Sequence, residues 1–231
     1  MSQPLRNRLV VTSGATREWI DPVRFISNPS TGAMGWAIAT AGLRRFEEVV
    51  YIPGHCSPGF GNLDGALNHP VTSTEEMLEA VLRSTIEGSV LVMAAAPADY
   101  TPVHTTEHKI KKDPIRNLVI ELRPTPDILM AVAERGIPDC TRVGFAAETD
   151  NLIANAAAKL QKKDLDYICA NRVFRETQGF AVDSGTLIVL DRNGNQTTLG
   201  PESKIALGEE LIGFLVRSLS PTPSRIPAAP L

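Results

Sequence analysis

The sequence predicts an α/β protein in three layers: a mostly parallel sheet, helices on both of its faces, and a small β-hairpin appendage. Three observations carry that expectation. Short β-branched and apolar runs alternate with helical patterns along most of the chain. Residues able to do chemistry fall just past the carboxyl ends of those runs. Near the C-terminus, a two-strand pattern around Asn193-Gly194 breaks the alternation.

Residues 9–12 form a short buried strand, and 31–45 form a small-residue helix that finishes on Arg44-Arg45, where cations suit the helix dipole. Residues 49–52 make a second strand, stopped by Pro53-Gly54 and followed by a Gly/Pro/Asn-rich loop to residue 72. Ser73-Thr74-Glu75-Glu76 spells a capping box, and Met77, Val81 and Leu82 supply a helical stripe. Residues 89–95 are a strongly apolar strand running into Ala96-Pro97-Ala98-Asp99-Tyr100, and 117–122 alternate like a strand. A helix over 127–134 follows Pro126, a residue suited to the first helical position. Strands at 142–146 and 165–170 flank an amphipathic helix over 149–163. Residues 179–199 pair as a hairpin, 203–219 close the fold as a helix, and 220–231 are a Pro-rich disordered tail. Residues 1–219 therefore read as one Rossmann-like domain, and such sheets bind ligands at their strands' carboxyl ends.

The chain has 231 residues, 43% hydrophobic and 21% charged, with a net charge of −3. A basic excess for nucleic acid or a membrane surface is missing, and no run approaches the ~20 apolar residues of a bilayer span. No signal peptide is evident at MSQPLRNRLV, and Cys56, Cys140 and Cys169 form no C-x-x-C pair, so reduced thiols in the cytoplasm fit. Cys169, inside Tyr-Ile-Cys-Ala, reads as core.

Gly14 and Gly32-x-x-Gly35 suggest a phosphate site at a helix start, but the G-x-G-x-x-G spacing is absent and no acid follows Tyr51-Ile52 to hold a ribose. The two glycines read equally as close helix–sheet packing. Residues 14–31, an insertion carrying Arg17, Asp21, Arg24 and Asn28, tip the balance toward function, because long loops inside compact domains usually are functional. Lys109-Ile110-Lys111-Lys112 is either a solvated run or an arm closing over a polyphosphate. Lys159 and Lys163 share a helix face and, on their own, read as a solvated helix end. His104 and His108 lack partners for a metal site, whereas Asp99 can share Mg²⁺ with a nucleotide.

Taken together and in order, DPVRFISNPSTGAMG, AAAPADYTP, KIKK, TPDIL, VGFAAET and ANRV resemble phosphopantothenoylcysteine synthetase (phosphopantothenate–cysteine ligase) from about Arg8 to Arg217. The resemblance is to a stand-alone form without the flavin-dependent decarboxylase half, so it implies no flavin. It implies a homodimer, with residues 174–200 as the dimer region. The implied reaction joins 4′-phosphopantothenate to cysteine through an acyl-nucleotidylate formed from CTP (or ATP), with Mg²⁺. It makes Asn28 and Lys109 catalytic and gives Asp99, Lys109, Pro126, Asp127, Ile128, Phe145, Lys159 and Lys163 to the nucleotide. Asn28, Arg24 and Gly32 go to the substrate, with Arg17 and Arg24 set near anionic or acidic partners. The sequence departs from the family's pattern at Thr31, Ala33, Thr125 and Ser184-Gly185. Two other readings are a non-catalytic nucleotide-binding module of the same fold and an NADP-dependent short-chain reductase. The reductase lacks its Tyr-x-x-x-Lys pair here.

Overall fold

The computed structural model describes residues 8–115, 117–148, 150–172 and 184–219. The expected tail, 220–231, and residues 174–183 of the expected dimer region lie outside the described residues. In chain order the elements are β1 (Arg8–Ser13), β2 (Arg17–Trp19), β3 (Phe25–Ser27), α1 (Ala33–Gly42), β4 (Glu48–Pro53), β5 (Leu67–Asn68), α2 (Thr74–Ser84), β6 (Val90–Met93), β7 (Tyr100–Pro102) and β8 (Leu122–Pro124). They continue with α3 (Ile128–Arg135), β9 (Thr141–Glu148), α4 (Leu152–Lys162), β10 (Tyr167–Arg172), β11 (Ser184–Asp191), β12 (Gln196–Ser203) and α5 (Lys204–Leu219).

The main sheet runs β12-β11-β10-β9-β6-β1-β4-β5. From β10 to β5 every pairing is parallel, while β11 and β12 pair antiparallel. The expected hairpin thus continues the sheet at its edge. Its turn is a type I turn with Gly194 left-handed behind it: the Gly194 N–H donates to the Asp191 carbonyl at 3.1 Å, and the Asp191 carboxylate takes the Asn193 and Asn195 N–H groups.

Strand side chains alternate between two separate cores, as the pleat requires. Leu9, Val11, Val90, Val92 and Cys169 face α1 and α5. Val10, Val50, Leu91, Ile168 and Ala170 face α2, α3 and α4. Each fully buried Leu, Ile or Val contributes roughly 1.5–3 kcal/mol relative to exposure, so this double-sided burial holds the three layers together. Cys169 is fully buried, which pushes its thiol well above the usual range and leaves it a packing residue. No helix among the described residues is long and apolar enough to cross a membrane.

Two expected elements change. Residues 117–121 form no strand; only β8 pairs, antiparallel to β7. Apolar alternation there has no sheet to face, and Leu118 and Val119 are exposed. Pro126 is not the first helical residue of α3. Asp127 is the N-cap, its carboxylate accepting the Met130 N–H at 3.2 Å, so Pro126 stands one position before the cap.

Candidate functional site

The switch in strand order falls between β1, whose neighbours are β4 and β6, and the exits of those strands. The 14–31 insertion stands there, and it is a built structure rather than a loose loop. β2 and β3 pair antiparallel, and polar side chains tie the hairpin down. The Glu18 carboxylate, buried, accepts both the N–H and the hydroxyl of Thr74 at 2.8 Å, at the start of α2. The Thr16 hydroxyl accepts the Ala98 N–H at 2.8 Å and meets the Thr74 hydroxyl at 2.8 Å. The Arg17 N–H donates to the Thr72 carbonyl at 2.8 Å.

The Arg17 guanidinium lies over the Phe25 ring, 4.2 Å from the centroid, a cation–π contact. Arg24 holds the buried Asp21 carboxylate through Nη2 and, at 3.0 Å, through Nε, while Nη2 also donates to the Ile110 carbonyl at 2.6 Å. Burial alone would raise the Asp21 carboxyl. The Arg24 guanidinium and the Val23, Ile110 and Arg24 amides outweigh it and hold the group far below the ordinary carboxylate range. Arg24, expected at the substrate, therefore has at least part of its charge committed to Asp21.

Asn28 follows β3, and its amide nitrogen donates to the carbonyls of Ala96 at 3.2 Å and Pro97 at 2.9 Å, just past β6. Ala96 in turn lines a cleft of about 1050 Å³ that also takes in Gly32, Ala33, Phe145, Asn151 and Lys204. Two helix starts border this cleft. α1 begins behind Gly32 and α4 behind Asn151, both left-handed N-caps without a side-chain capping bond. Their N–H groups and dipole ends favour anions. Gly32 is sterically required as well: at φ +81° a Cβ would sit 2.5 Å from the Cys56 sulfur. Burial pushes the Cys56 thiol up, although the Ser13 and Tyr51 hydroxyls pull it down. A protonated thiol makes Cys56 a poor nucleophile.

The expected nucleotide residues fall into linked groups. Thr125 ties two of them together, its N–H donating to the Asp99 carbonyl at 3.0 Å and its hydroxyl to the Ala98 carbonyl at 2.6 Å. That sets exposed Asp99 beside the Pro126-Asp127 turn, where Lys163 pairs with Asp127 at 3.0 Å. Lys159 pairs with Glu148 at 2.5 Å, and that bond is the main reason the Glu148 carboxyl lies below its ordinary value. Each of the two helix lysines pairs with a carboxylate near a strand exit or helix start, and Lys159 stays exposed to solvent. Ile128 is 4% exposed and packs in the core under α3, so its side chain is structural. Phe145 lies on the other face of β9, in the cleft with Gly32. Lys109 is exposed and forms no ion pair among the described residues, but its neighbour Ile110 is bonded to Asp21 and Arg24, four residues before Asn28. Glu148 and Asn151 were not singled out as ligands from sequence. The only signal for them was position, immediately past a strand and immediately before a helix. No group of three or more His, Cys, Asp or Glu that would cage a metal occurs among the described residues.

Residues 5–218 match the family described as DNA/pantothenate metabolism flavoprotein C-terminal domain. The chain is 37% identical over 213 residues to the coenzyme A biosynthesis bifunctional protein CoaBC of Bacillus subtilis, covering 91% of this chain and 52% of that protein. It therefore spans about half the length of the curated relatives it matches. A crystal structure of the C-terminal domain of a CoaBC protein superposes with a TM-score of 0.75 at 31% identity, covering 92% of this chain and 95% of the other. A Cab2 variant in complex with phosphopantothenate-cysteine shares the fold, with a TM-score of 0.75 at 17% identity over 92% of this chain and 86% of that one.

Proposed function

The chain belongs to the DNA/pantothenate metabolism flavoprotein C-terminal domain family, and from that premise we propose that it is a ligase joining 4′-phosphopantothenate to cysteine in coenzyme A biosynthesis. The observation that supports the reading is a chain of contacts: Asn28 bonds to Ala96, which lines the cleft bordered by the starts of α1 and α4, and the Lys109 arm is bonded to the hairpin that precedes Asn28. Helix starts and a lysine are the kinds of group that a reaction between two anions needs.

In this reading a substrate carboxylate oxygen attacks the α-phosphorus of a nucleoside triphosphate, CTP or ATP. The bond to the bridging oxygen breaks, and pyrophosphate leaves with the electron pair. The cysteine amine then attacks the acyl carbon, the carbon–oxygen bond breaks, the nucleoside monophosphate departs and the amine loses a proton. Lys109 neutralises charge developing on the α-phosphate. Both polar hydrogens of the Asn28 amide point at the Ala96 and Pro97 carbonyls, so its donation to the acyl-nucleotidylate requires the side chain to turn from at least one of them. Lys159 and Lys163 exchange Glu148 and Asp127 for phosphate oxygens, while the Phe145 backbone borders the base. Mg²⁺ fits as a shared ion: the exposed Asp99 carboxylate offers one ligand, phosphates and water the rest, and the ion would supply charge neutralisation. The reading extends to a cytoplasmic homodimer; that Cys56, Cys140 and Cys169 form no disulfide accords with the reducing compartment.

The test is a triphosphate panel assayed for pyrophosphate with phosphopantothenate and cysteine present. Release that needs both phosphopantothenate and one triphosphate is expected, with Lys109→Gln slowed about 100-fold or more, the scale of one lost transition-state charge contact. Binding of triphosphate without turnover in the parent protein would overturn the ligase reading.

A further inference from the structure

The Lys109 arm is held to the insertion at one residue. The Ile110 N–H donates to Asp21 Oδ2 at 3.1 Å, and the Ile110 carbonyl accepts from Arg24 Nη2 at 2.6 Å. Both main-chain polar groups of the residue next to Lys109 are thus engaged by one ion pair, buried on its carboxylate side. The pair itself is fixed from behind. Asp21 Oδ1 accepts the Val23 and Arg24 N–H groups at 2.8 Å each, and the turn closes through the Ile20 N–H on the Arg24 carbonyl at 2.8 Å. A second strap lies three residues upstream of Lys109, where the Thr106 N–H reaches the Ile20 carbonyl at 3.3 Å. The Asp21 side chain is fully shielded from solvent, whereas Lys109 at the arm's surface is exposed.

We propose that Asp21 is the positioning residue for the Lys109 arm: with Arg24 it clamps Ile110 by both backbone groups and so sets Lys109 on the same rigid hairpin that carries Asn28. The inference rests on the role given to Lys109 above and adds its cause. A lysine on an exposed, irregular segment would otherwise spread its charge over many positions, and catalysis by a point charge falls steeply with misplacement. A surface ion pair contributes little to stability, but this one is buried on the carboxylate side and spends its spare bonding capacity on a segment 86 residues away in sequence. Charge-assisted bonds of that kind are the strong ones.

The experiment uses two variants of the full chain. Asp21→Asn removes the charge from the clamp. Ile110→Pro removes the arm's N–H and also restrains the backbone at Lys109 and at position 110, but it touches no residue of the 20–24 turn, so it stands if Asp21→Asn fails to fold. Amide exchange across residues 106–112 is read beside single-turnover pyrophosphate release and cysteine capture of preformed acyl-nucleotidylate. We expect arm exchange and pyrophosphate release each to change roughly tenfold in both variants, faster and slower respectively, with the cysteine step in Ile110→Pro unchanged. General structural damage would slow both chemical steps together, and that result overturns the proposal. Unchanged arm exchange in both variants overturns the clamp. Faster exchange with unchanged pyrophosphate release overturns the positioning role. If the parent protein turns over no triphosphate at all, the ligase reading and the catalytic consequence fall, while the exchange data still decide whether the clamp exists.

Discussion

Gly35 and Gly32, three positions apart, do different jobs. Gly35 lies inside α1 with ordinary helical geometry, yet a Cβ there would meet the Ser13 Cβ and Oγ at 2.6 Å and the Thr12 carbonyl at 2.8 Å. The atoms in the way are backbone and a short buried side chain, which cannot swing aside. Gly35→Ala should therefore behave as overpacking, costing about 1–3 kcal/mol and lowering the thermal midpoint by roughly 2–10 °C for a domain of this size. A calorimetric melt checks it, and an unchanged midpoint would show that helix and strand separate freely. Spacing alone left this glycine pair balanced between packing and phosphate approach. The balance could not be broken in sequence because the obstructing atoms, at Thr12, Ser13 and Cys56, come from other elements. Likewise the sequence pointed to Asn28 and the lysines but not to their partners. Glu148 and Asp127 hold Lys159 and Lys163 only because a strand exit and a helix start meet at one rim.

At the level of elements, the start of α2 shows which signals are local and which are not. Its capping box was readable because all the chemistry lies in four consecutive residues: the Ser73 hydroxyl accepts the Glu76 N–H at 3.1 Å, and the Glu76 carboxylate takes the Ser73 N–H at 3.4 Å. The β2–β3 hairpin was not readable. Its strands have three residues each, too few to show a period, and what holds them is Thr72, Thr74 and Ala98, far along the chain. The expected strand over 117–122 failed in the opposite sense: its alternation was clear, but 117–121 pair with no strand and only Leu122 joins β8. These differences can be ranked by stability. Ser73→Ala removes an exposed cap worth about 1 kcal/mol. Glu18→Ala leaves the buried Thr74 N–H without its acceptor, a desolvation loss of about 1–3 kcal/mol, and also removes one of the bonds that tie the hairpin to α2. Urea unfolding should therefore rank Glu18→Ala as the more destabilising of the two; the reverse order would mean that the hairpin is not secured through α2.

For the molecule as a whole, the three-layer plan was legible because a parallel sheet buried on both faces needs β-branched, nearly continuous apolar strands, and Leu9-Val10-Val11 or Val90-Leu91-Val92 admit little else. Charge distribution was not legible in that way, since each ionisable group's partner is set by the fold, and pH reads the result out. Among the described residues, four carboxyls lie below their ordinary values. Asp21 and Asp191 do so against the burial that would raise them, through Arg24 and backbone amides in the first case and Asn195 with neighbouring amides in the second. Glu148 and Asp164 do so mainly through bonds to Lys159 and to Arg142 with Arg192. A depressed carboxyl stays ionised in the folded chain while the unfolded chain takes up a proton, so its stabilisation is complete above the ordinary carboxylate range and is lost as pH falls through and below it, about pH 4 and under. His55 adds an earlier loss of the same sign. His55 is exposed, but partial desolvation of its ring, with Arg17 nearby, lowers its value, so the unfolded chain protonates first once pH drops below about 6.5 and the loss is small. The urea midpoint should accordingly hold level from pH 8 to 7, decline slightly toward pH 5, and fall steeply below about pH 4. His55→Gln should remove the first decline and keep the second, whereas a midpoint that rises on acidification from pH 7 to 5 would mean that these groups are free of the contacts described.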